Sequence, residues 1–174
     1  MDRTRLRIVQ TTVTALAVAA SSVSAPAADI AGKASVTQGD MVTIAGTRIA
    51  LFGVDAPDQD QDRECTIGAS LYSCATNARK ALEQLAGEGN FVCSDSGEKN
   101  AFGSAYMTCT VNGRDVGEAL VAAGVAVAFR PQSAKYAAAE DKAKAAKLGL
   151  WQAGVKFTLP WEWRATLGRA QMGF

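Results

Sequence analysis

The side chains of this sequence that can do chemistry are carboxylates and cysteines, because the 174-residue chain contains no histidine. An imidazole general base and histidine metal ligands are therefore excluded. Four acidic residues crowd a polar stretch over residues 55–71, namely Asp58, Asp60, Asp62 and Glu64. Such a run is typical of a solvated loop, and whether it binds anything stays open. The cysteines lack C-x-x-C spacing, so a zinc site is not expected.

The elements that must position these groups can be predicted from apolar periodicity. Three strands are predicted over residues 30–37, 41–45 and 47–54, and two more over 90–95 and 104–111. Helices are predicted over 74–85, 116–123 and 135–148, the last capped by Ser133. The tail over 151–164 is rich in tryptophan and is expected to seal a core. This order predicts an α+β fold, a five-stranded OB-fold β-barrel with about three helices.

The four cysteines, Cys65, Cys74, Cys93 and Cys109, allow three disulfide pairings. We favour Cys65 with Cys74, because that bridge pins the polar loop to the start of the first helix. We favour Cys93 with Cys109, because the two residues lie at comparable depths in neighbouring predicted strands. Each bridge closes a short loop, for which the chain-entropy model gives roughly 3 kcal/mol of stabilisation.

The first 28 residues have the pattern of a secretory signal peptide, with three arginines, a short apolar stretch and small residues that offer Ala-x-Ala cleavage sites. We expect cleavage to leave one domain over residues 29–174 that is monomeric, periplasmic or secreted, and without a membrane span. An even number of cysteines suits an oxidising compartment. The formal net charge of +1 gives no electrostatic case for nucleic-acid binding.

Several phrases of the sequence resemble the thermonuclease family, also called staphylococcal-nuclease-like. In chain order these phrases are QGD at 38–40, VDAPD at 54–58, YSC at 72–74, EALV at 118–121, GLW at 149–151 and WR at 163–164. The first two are similar to the family's Asp-Gly-Asp-Thr turn and Asp-x-Pro-Glu motif, and the third to a loop of exported bacterial members. The resemblance runs from about residue 30 to residue 164 and implies the OB-fold.

The resemblance also implies a calcium-dependent phosphodiesterase. That chemistry needs oxygen ligands for the metal, a carboxylate that activates water and two arginines that hold the phosphate. The resemblance places the metal carboxylates at Asp40 and Asp55, although both also suit turn aspartates that bond their own backbone. The water-activating glutamate corresponds to Asp58, which is one methylene shorter. A displacement of about 1 Å can cost on the order of a hundredfold in rate.

Both arginine positions depart from the family pattern. The first corresponds to Ala50, and Arg48, on the same strand face, lies about 6.5 Å farther back. The second corresponds to Phe102, and the nearby Lys99 cannot supply a fork of donors. One transition-state arginine is worth about 10³ to 10⁵ in rate, or roughly 4–7 kcal/mol, so we expect catalysis to be lost. This expectation assumes that no guanidinium from elsewhere in the chain converges on the metal carboxylates.

Three hypotheses about function follow. The leading one is a catalytically degenerate exported protein that acts as a binding or accessory module for single-stranded nucleic acid or an oligosaccharide. Its similarity to exported domains of rhizobial succinoglycan clusters implies a role in exopolysaccharide biosynthesis. The alternative is a weak calcium-dependent nuclease that uses Asp40, Asp55 and Asp58 with Arg48 or Lys99 as a relocated cation. The third is a structural envelope protein.

Overall fold

The computed structural model describes residues 29–168, so the predicted signal peptide over residues 1–28 lies outside the described residues, as do residues 169–174. The strands are β1 Ile30–Gly32, β2 Ala34–Gln38, β3 Met41–Ile44, β4 Thr47–Leu51, β5 Val54–Asp55, β6 Thr66–Ile67, β7 Ser70–Leu71, β8 Phe91–Lys99, β9 Ala105–Val111, β10 Arg114–Asp115, β11 Val127–Ala128 and β12 Val155–Lys156. The helices are α1 Cys74–Glu88, α2 Val116–Ala122, α3 Ala137–Ala145 and α4 Pro160–Thr166. Short 3-10 turns cover Gln59–Arg63 and Gly149–Trp151. None of the helices in the described part of the chain has the length and apolar character to cross a membrane.

The main sheet follows the order β1-β8-β9-β4-β3-β2, with β10 paired to β9. β4 and β9 are parallel, and the other pairs of this sheet are antiparallel. β1 and β2 are two parts of one stretch of chain separated by Lys33, and they pair with opposite ends of the sheet. The predicted barrel is therefore not closed by hydrogen bonds between strands, although the chain itself joins the two ends. The mixed α+β architecture is consistent with the predicted OB-fold.

The curved sheet and α1 enclose the main core. β9 has the alternation of a half-buried strand, with Met107, Cys109 and Val111 buried and the residues between them partly exposed. α1 presents Ala78 and Leu82 to the same core at a spacing of four residues, the spacing that places side chains on one helix face. These two patterns explain why strand and helix were both predictable here.

Three of the differences from the prediction have a local structural reason. The strand predicted over 47–54 is interrupted, because Phe52 and Gly53 form a turn in which Gly53 has a φ of +74°. Ser133 does not cap α3, because its hydroxyl accepts the N–H of Lys135 within a turn that precedes the helix. α3 ends before residue 148, because Lys147 adopts a left-handed φ of +53°.

The prediction of about three helices omits α4. This helix begins at Pro160, a residue that suits the first turn because its missing N–H would have no partner there. It lies inside the tryptophan-rich tail. The aromatic residues of that tail indicated that it covers a hydrophobic core, but their spacing did not match the period of a helix.

The two favoured disulfide pairings are confirmed. Cys65 is bonded to Cys74 with a Cα–Cα distance of 6.1 Å, which joins the polar loop to the first residue of α1. Cys93 is bonded to Cys109, directly opposite in the β8–β9 ladder, with a Cα–Cα distance of 4.0 Å. All four residues are fully buried. The first bridge therefore fixes the loop that carries Asp58.

Candidate functional site

Asp40 lies in the turn between β2 and β3, and only 4% of it is exposed. Its Oδ2 accepts the backbone N–H of Ala56 at 3.0 Å, so this aspartate bonds a distant segment instead of its own turn. Gly39 permits the close approach, because a Cβ at this position would lie 2.6 Å from the Cβ of Ala78 and 2.8 Å from that of Ala56. The turn thus places the Asp40 carboxylate beside the end of β5.

Asp55 and Asp58 lie three residues apart at that end of β5. Asp55 is its last residue, is 3% exposed, and is paired with Val127 of β11. Asp58 precedes the 3-10 turn, and its side chain is 11% exposed. We call Asp40, Asp55 and Asp58 the aspartate cluster. The structure therefore brings together the three carboxylates that the resemblance singled out.

Arg164 of α4 reaches into the aspartate cluster. Its Nη2 donates to Oδ2 of Asp55 at 2.7 Å, and its Nη1 donates to Oδ1 of Asp55 and to Oδ2 of Asp58, both at 3.1 Å. The contact with Asp55 is bidentate, the strongest arrangement of a guanidinium and a carboxylate. Only 7% of the Arg164 side chain is exposed. The assumption that no guanidinium converges on these carboxylates was therefore wrong.

The packing of the C-terminal segment holds Arg164 in this position. A second hydrophobic cluster has the buried Cys65–Cys74 bridge, Val127 and Leu150 at its centre. Five partly buried apolar side chains pack against this centre, namely Tyr72, Trp151, Phe157, Leu159 and Trp161. The ring centroids of Phe129 and Trp161 are 5.3 Å apart. Gln61, which is fully buried, donates its side-chain N–H to the carbonyl of Thr158, two residues before α4. The turn after Asp58 and the start of α4 are thereby connected directly.

Burial and the charges of the neighbouring aspartates and of Arg164 together set the pKa values of the cluster. Burial and the charge of Asp55 raise the pKa of Asp40 to about 8, against the opposing effects of the Ala56 N–H and of Arg164. Burial also raises the pKa of Asp55, to about 6, although the hydrogen bonds and charge of Arg164 oppose that rise. Burial lowers the pKa of Arg164, but its bonds to Asp55 and Asp58 outweigh burial and the pKa rises. At neutral pH the Arg164–Asp55 pair is therefore charged and Asp40 holds a proton.

The residues as arranged do not fit the calcium ion that the resemblance implies. Calcium takes six to eight oxygen ligands at about 2.3–2.6 Å. Here a guanidinium nitrogen lies between the oxygens of Asp55 and Asp58, and Asp40 accepts a backbone N–H. Within residues 29–168, no three acidic or cysteine side chains are arranged as a metal site. The aspartate cluster is therefore not arranged as a calcium site.

The two positions implied for the phosphate-holding arginines carry apolar side chains. Ala50 of β4 is 3% exposed and pairs with Met41 on one side and Tyr106 on the other. Phe102 lies in the turn between β8 and β9, is 48% exposed, and donates its backbone N–H to Oδ1 of Asn100. Neither side chain can bind a phosphate oxygen.

The two cations considered as replacements are both exposed. Arg48 pairs with Thr43 in the β3–β4 ladder, two residues farther from the cluster than Ala50. Lys99 is the last residue of β8, opposite Ala105. The structure brings Arg164 to the carboxylates instead, from 109 residues beyond Asp55.

Sequence reasoning also missed Tyr106 and the role of Asp62. Tyr106 lies opposite Ala50, and burial, followed by the charges of Asp40 and Asp55, raises the pKa of its phenol. It is therefore a neutral hydrogen-bonding group near the aspartate cluster. Asp62 accepts the N–H of Ala75 at 2.7 Å and the hydroxyl of Thr76 at 2.6 Å, which caps the start of α1. The acidic run is thus partly structural.

Comparison with known proteins supplies the wider context. The family model described as staphylococcal nuclease homologue matches residues 48–153. A curated relative, the succinoglycan biosynthesis protein ExoI of Rhizobium meliloti (strain 1021), is 32% identical over 126 residues. That alignment covers 71% of this chain and 65% of ExoI, so the chain spans slightly less than two thirds of the relative's length. Asp55 and Asp58 lie inside the family match, whereas Asp40 and Arg164 lie outside it.

Proposed function

Because this chain belongs to the family of staphylococcal nuclease homologues, we propose that it is an exported member that does not hydrolyse phosphodiesters and acts as a binding or accessory module. The observation that carries the proposal is the bonding of Arg164. The guanidinium that lies among the carboxylates uses both terminal nitrogens on Asp55 and Asp58. It offsets one negative charge of the cluster from within, and three of its five N–H groups are directed at carboxylate oxygens and not at a phosphate.

The same bonding argues against Asp58 as a general base. A general base must present its oxygen to the attacking water, and Oδ2 of Asp58 already accepts a hydrogen bond from Nη1 of Arg164 at 3.1 Å. With Ala50 and Phe102 at the arginine positions, the transition state also lacks donors worth roughly 4–7 kcal/mol each. These losses affect different parts of the mechanism, and no single substitution reverses them.

An oligosaccharide is the ligand class that we favour for the module. The formal net charge of +1 provides little attraction for a polyanion, and the relative ExoI is named for succinoglycan biosynthesis. OB-fold surfaces bind oligosaccharides as well as oligonucleotides. The two disulfides support an oxidising compartment, which agrees with export. The proposed role is therefore in making or handling an exopolysaccharide outside the cytoplasm.

A weak calcium-dependent nuclease is the alternative, and Arg164 is a better candidate for its relocated cation than Arg48 or Lys99. This reading requires α4 to release Arg164 from Asp55 so that calcium and phosphate can enter. Such a release breaks a buried bidentate pair, which makes this reading the less favoured one.

Incubation of purified protein with single-stranded DNA and calcium separates the two readings, with Asp58→Ala as the matched control. We expect no cleavage by either protein. Calcium-dependent cleavage by the wild type that is lost in Asp58→Ala would establish the nuclease and overturn the proposal. Calorimetric titration with an oligosaccharide and with a DNA oligonucleotide of similar length then identifies the ligand class, and we expect heat from the oligosaccharide alone.

A further inference from the structure

We propose that Arg164 is a resident cation of this fold, whose guanidinium replaces a divalent metal ion among Asp40, Asp55 and Asp58, and whose removal turns these carboxylates into a divalent-cation site. The inference goes beyond the proposed function, because it concerns what balances the charge of the cluster and not what the module binds.

The geometry supports this replacement. Nη1 of Arg164 contacts one oxygen of Asp55 and one of Asp58 at the same distance, 3.1 Å, so it lies between two carboxylates as a bridging cation does. The two oxygens are therefore separated by no more than twice that distance. Oxygens on opposite sides of a calcium ion are roughly 5 Å apart. A small movement would bring Asp55 and Asp58 to a separation at which they share an ion.

The burial of the cluster explains why a cation is needed. Asp40, Asp55 and Arg164 are 4%, 3% and 5% exposed. A buried carboxylate without a counter-charge is strongly destabilising, because water no longer solvates it. A metal ion must be captured from solution and is lost on dilution, whereas a guanidinium on α4 is always present at the site. Arg164 thus makes the folded state independent of dissolved calcium and attaches α4 to β5.

Removal of the guanidinium leaves hard oxygen ligands and no competing cation. Calcium affinity rises with the number of carboxylate ligands, and the three aspartates of the cluster would then have no guanidinium between them. Asp40 lies beside Asp55, because its Oδ2 accepts the backbone N–H of Ala56, the next residue, at 3.0 Å. The Arg164→Gln variant removes the charge and keeps a hydrogen-bonding side chain, so it is the suitable perturbation.

The test is thermal unfolding of the wild type and of Arg164→Gln, each with a chelator or with millimolar calcium. We expect the wild-type Tm to be the same in both solutions. We expect Arg164→Gln to unfold at a lower temperature with the chelator and to gain roughly 5–10 °C when calcium is at a hundredfold excess over its Kd. Terbium luminescence excited through the tryptophans provides a second readout, because Trp163 precedes Arg164 in α4.

Two further variants are matched controls. Arg164→Lys keeps the positive charge and should show no calcium response. Arg164→Gln with Asp55→Asn removes a ligand and should lose the response. A calcium response of the wild type equal to that of Arg164→Gln would overturn the proposal, as would a folded Arg164→Gln without any response.

If Arg164→Gln fails to fold, further variants that remove the negative charges of the cluster still test the proposal. If Arg164→Gln is unfolded with the chelator, recovery of folding in calcium supports the proposal. If it stays unfolded in calcium, the triple variant with Asp55→Asn and Asp58→Asn is decisive. Folding of this triple variant supports a charge-balancing role for Arg164, and its failure to fold overturns that role in favour of simple packing. None of these readouts depends on hydrolysis, so they are independent of the test of the proposed function.

Discussion

Replacement of Arg164 by alanine should be among the most destabilising single substitutions in this protein. The side chain is 7% exposed and makes three hydrogen bonds to carboxylates, two of them to Asp55. Removal of one partner of a buried ion pair typically costs about 3–5 kcal/mol, because the other charge stays buried without compensation. For a domain of this size that loss lowers the Tm by roughly 10 °C.

The magnitude is measured by urea unfolding at neutral pH without calcium, monitored by tryptophan fluorescence and with the disulfides intact. The matched control is Arg79→Ala, which removes an arginine that is 52% exposed and lies 3.7 Å from Glu83 on α1. Exposed pairs of this spacing contribute about 0.5 kcal/mol or less. If Arg164→Ala and Arg79→Ala had equal unfolding free energies, the reasoning about a buried counter-ion would be refuted.

A double-mutant cycle assigns the cost to the pair. Asp55→Asn alone should also be destabilising, because it leaves the guanidinium with a weaker partner. The double variant of Asp55→Asn and Arg164→Ala should lose less stability than the sum of the single variants, with a coupling free energy of about 1–3 kcal/mol. Additive losses would contradict a direct interaction between the two side chains.

The remaining predictions concern Asp40, its turn and the first disulfide. The pKa of Asp40 is about 8 in the folded state and near 3.8 when unfolded, so the native state holds the extra proton between these values. Stability should fall as pH rises through that window, by up to about 1.4 kcal/mol per pH unit from this group. Asp55, whose pKa is raised to about 6, contributes in the same direction below pH 6. Asp40→Asn should therefore flatten the profile of urea unfolding between about pH 6 and pH 8, and an unchanged slope there contradicts the assignment. Gly39→Ala should cost about 1–3 kcal/mol or more through overpacking, whereas Gly87→Ala, in open space on α1, should be neutral or stabilising in the same assay. Replacement of both Cys65 and Cys74 by alanine should cost roughly 3 kcal/mol, and circular-dichroism melts that match the wild type would exclude that contribution.

The parts of the fold that sequence could predict are those set by local patterns. The alternation in β9, the four-residue spacing of α1 and the placement of cysteines in β8 and β9 each reflect the surroundings of a short segment. The same is true of the loop cysteine, Cys65, which is only nine residues from its partner. Strand β9, helix α1 and both disulfides could therefore be predicted from the sequence alone.

The contacts that sequence could not predict are long-range and polar. Arg164 was visible only as part of a family-like phrase, and its partner Asp55 is 109 residues away. α4 could not be predicted, because two tryptophans spaced two residues apart in a seven-residue helix give no amphipathic period. Asp62 resembled its acidic neighbours, and its role in capping α1 depends on how the disulfide folds the loop back. The chemistry of the cluster could be anticipated from the residues, but its counter-ion could not.

The most direct test is a crystal structure of the protein grown with millimolar calcium and a single-stranded dinucleotide. We expect Nη1 and Nη2 of Arg164 to remain bonded to Asp55, with no calcium within ligand distance of Asp40, Asp55 or Asp58. A calcium ion held by Asp40 and Asp55, with Arg164 turned onto the phosphate, would contradict the account and indicate a working nuclease.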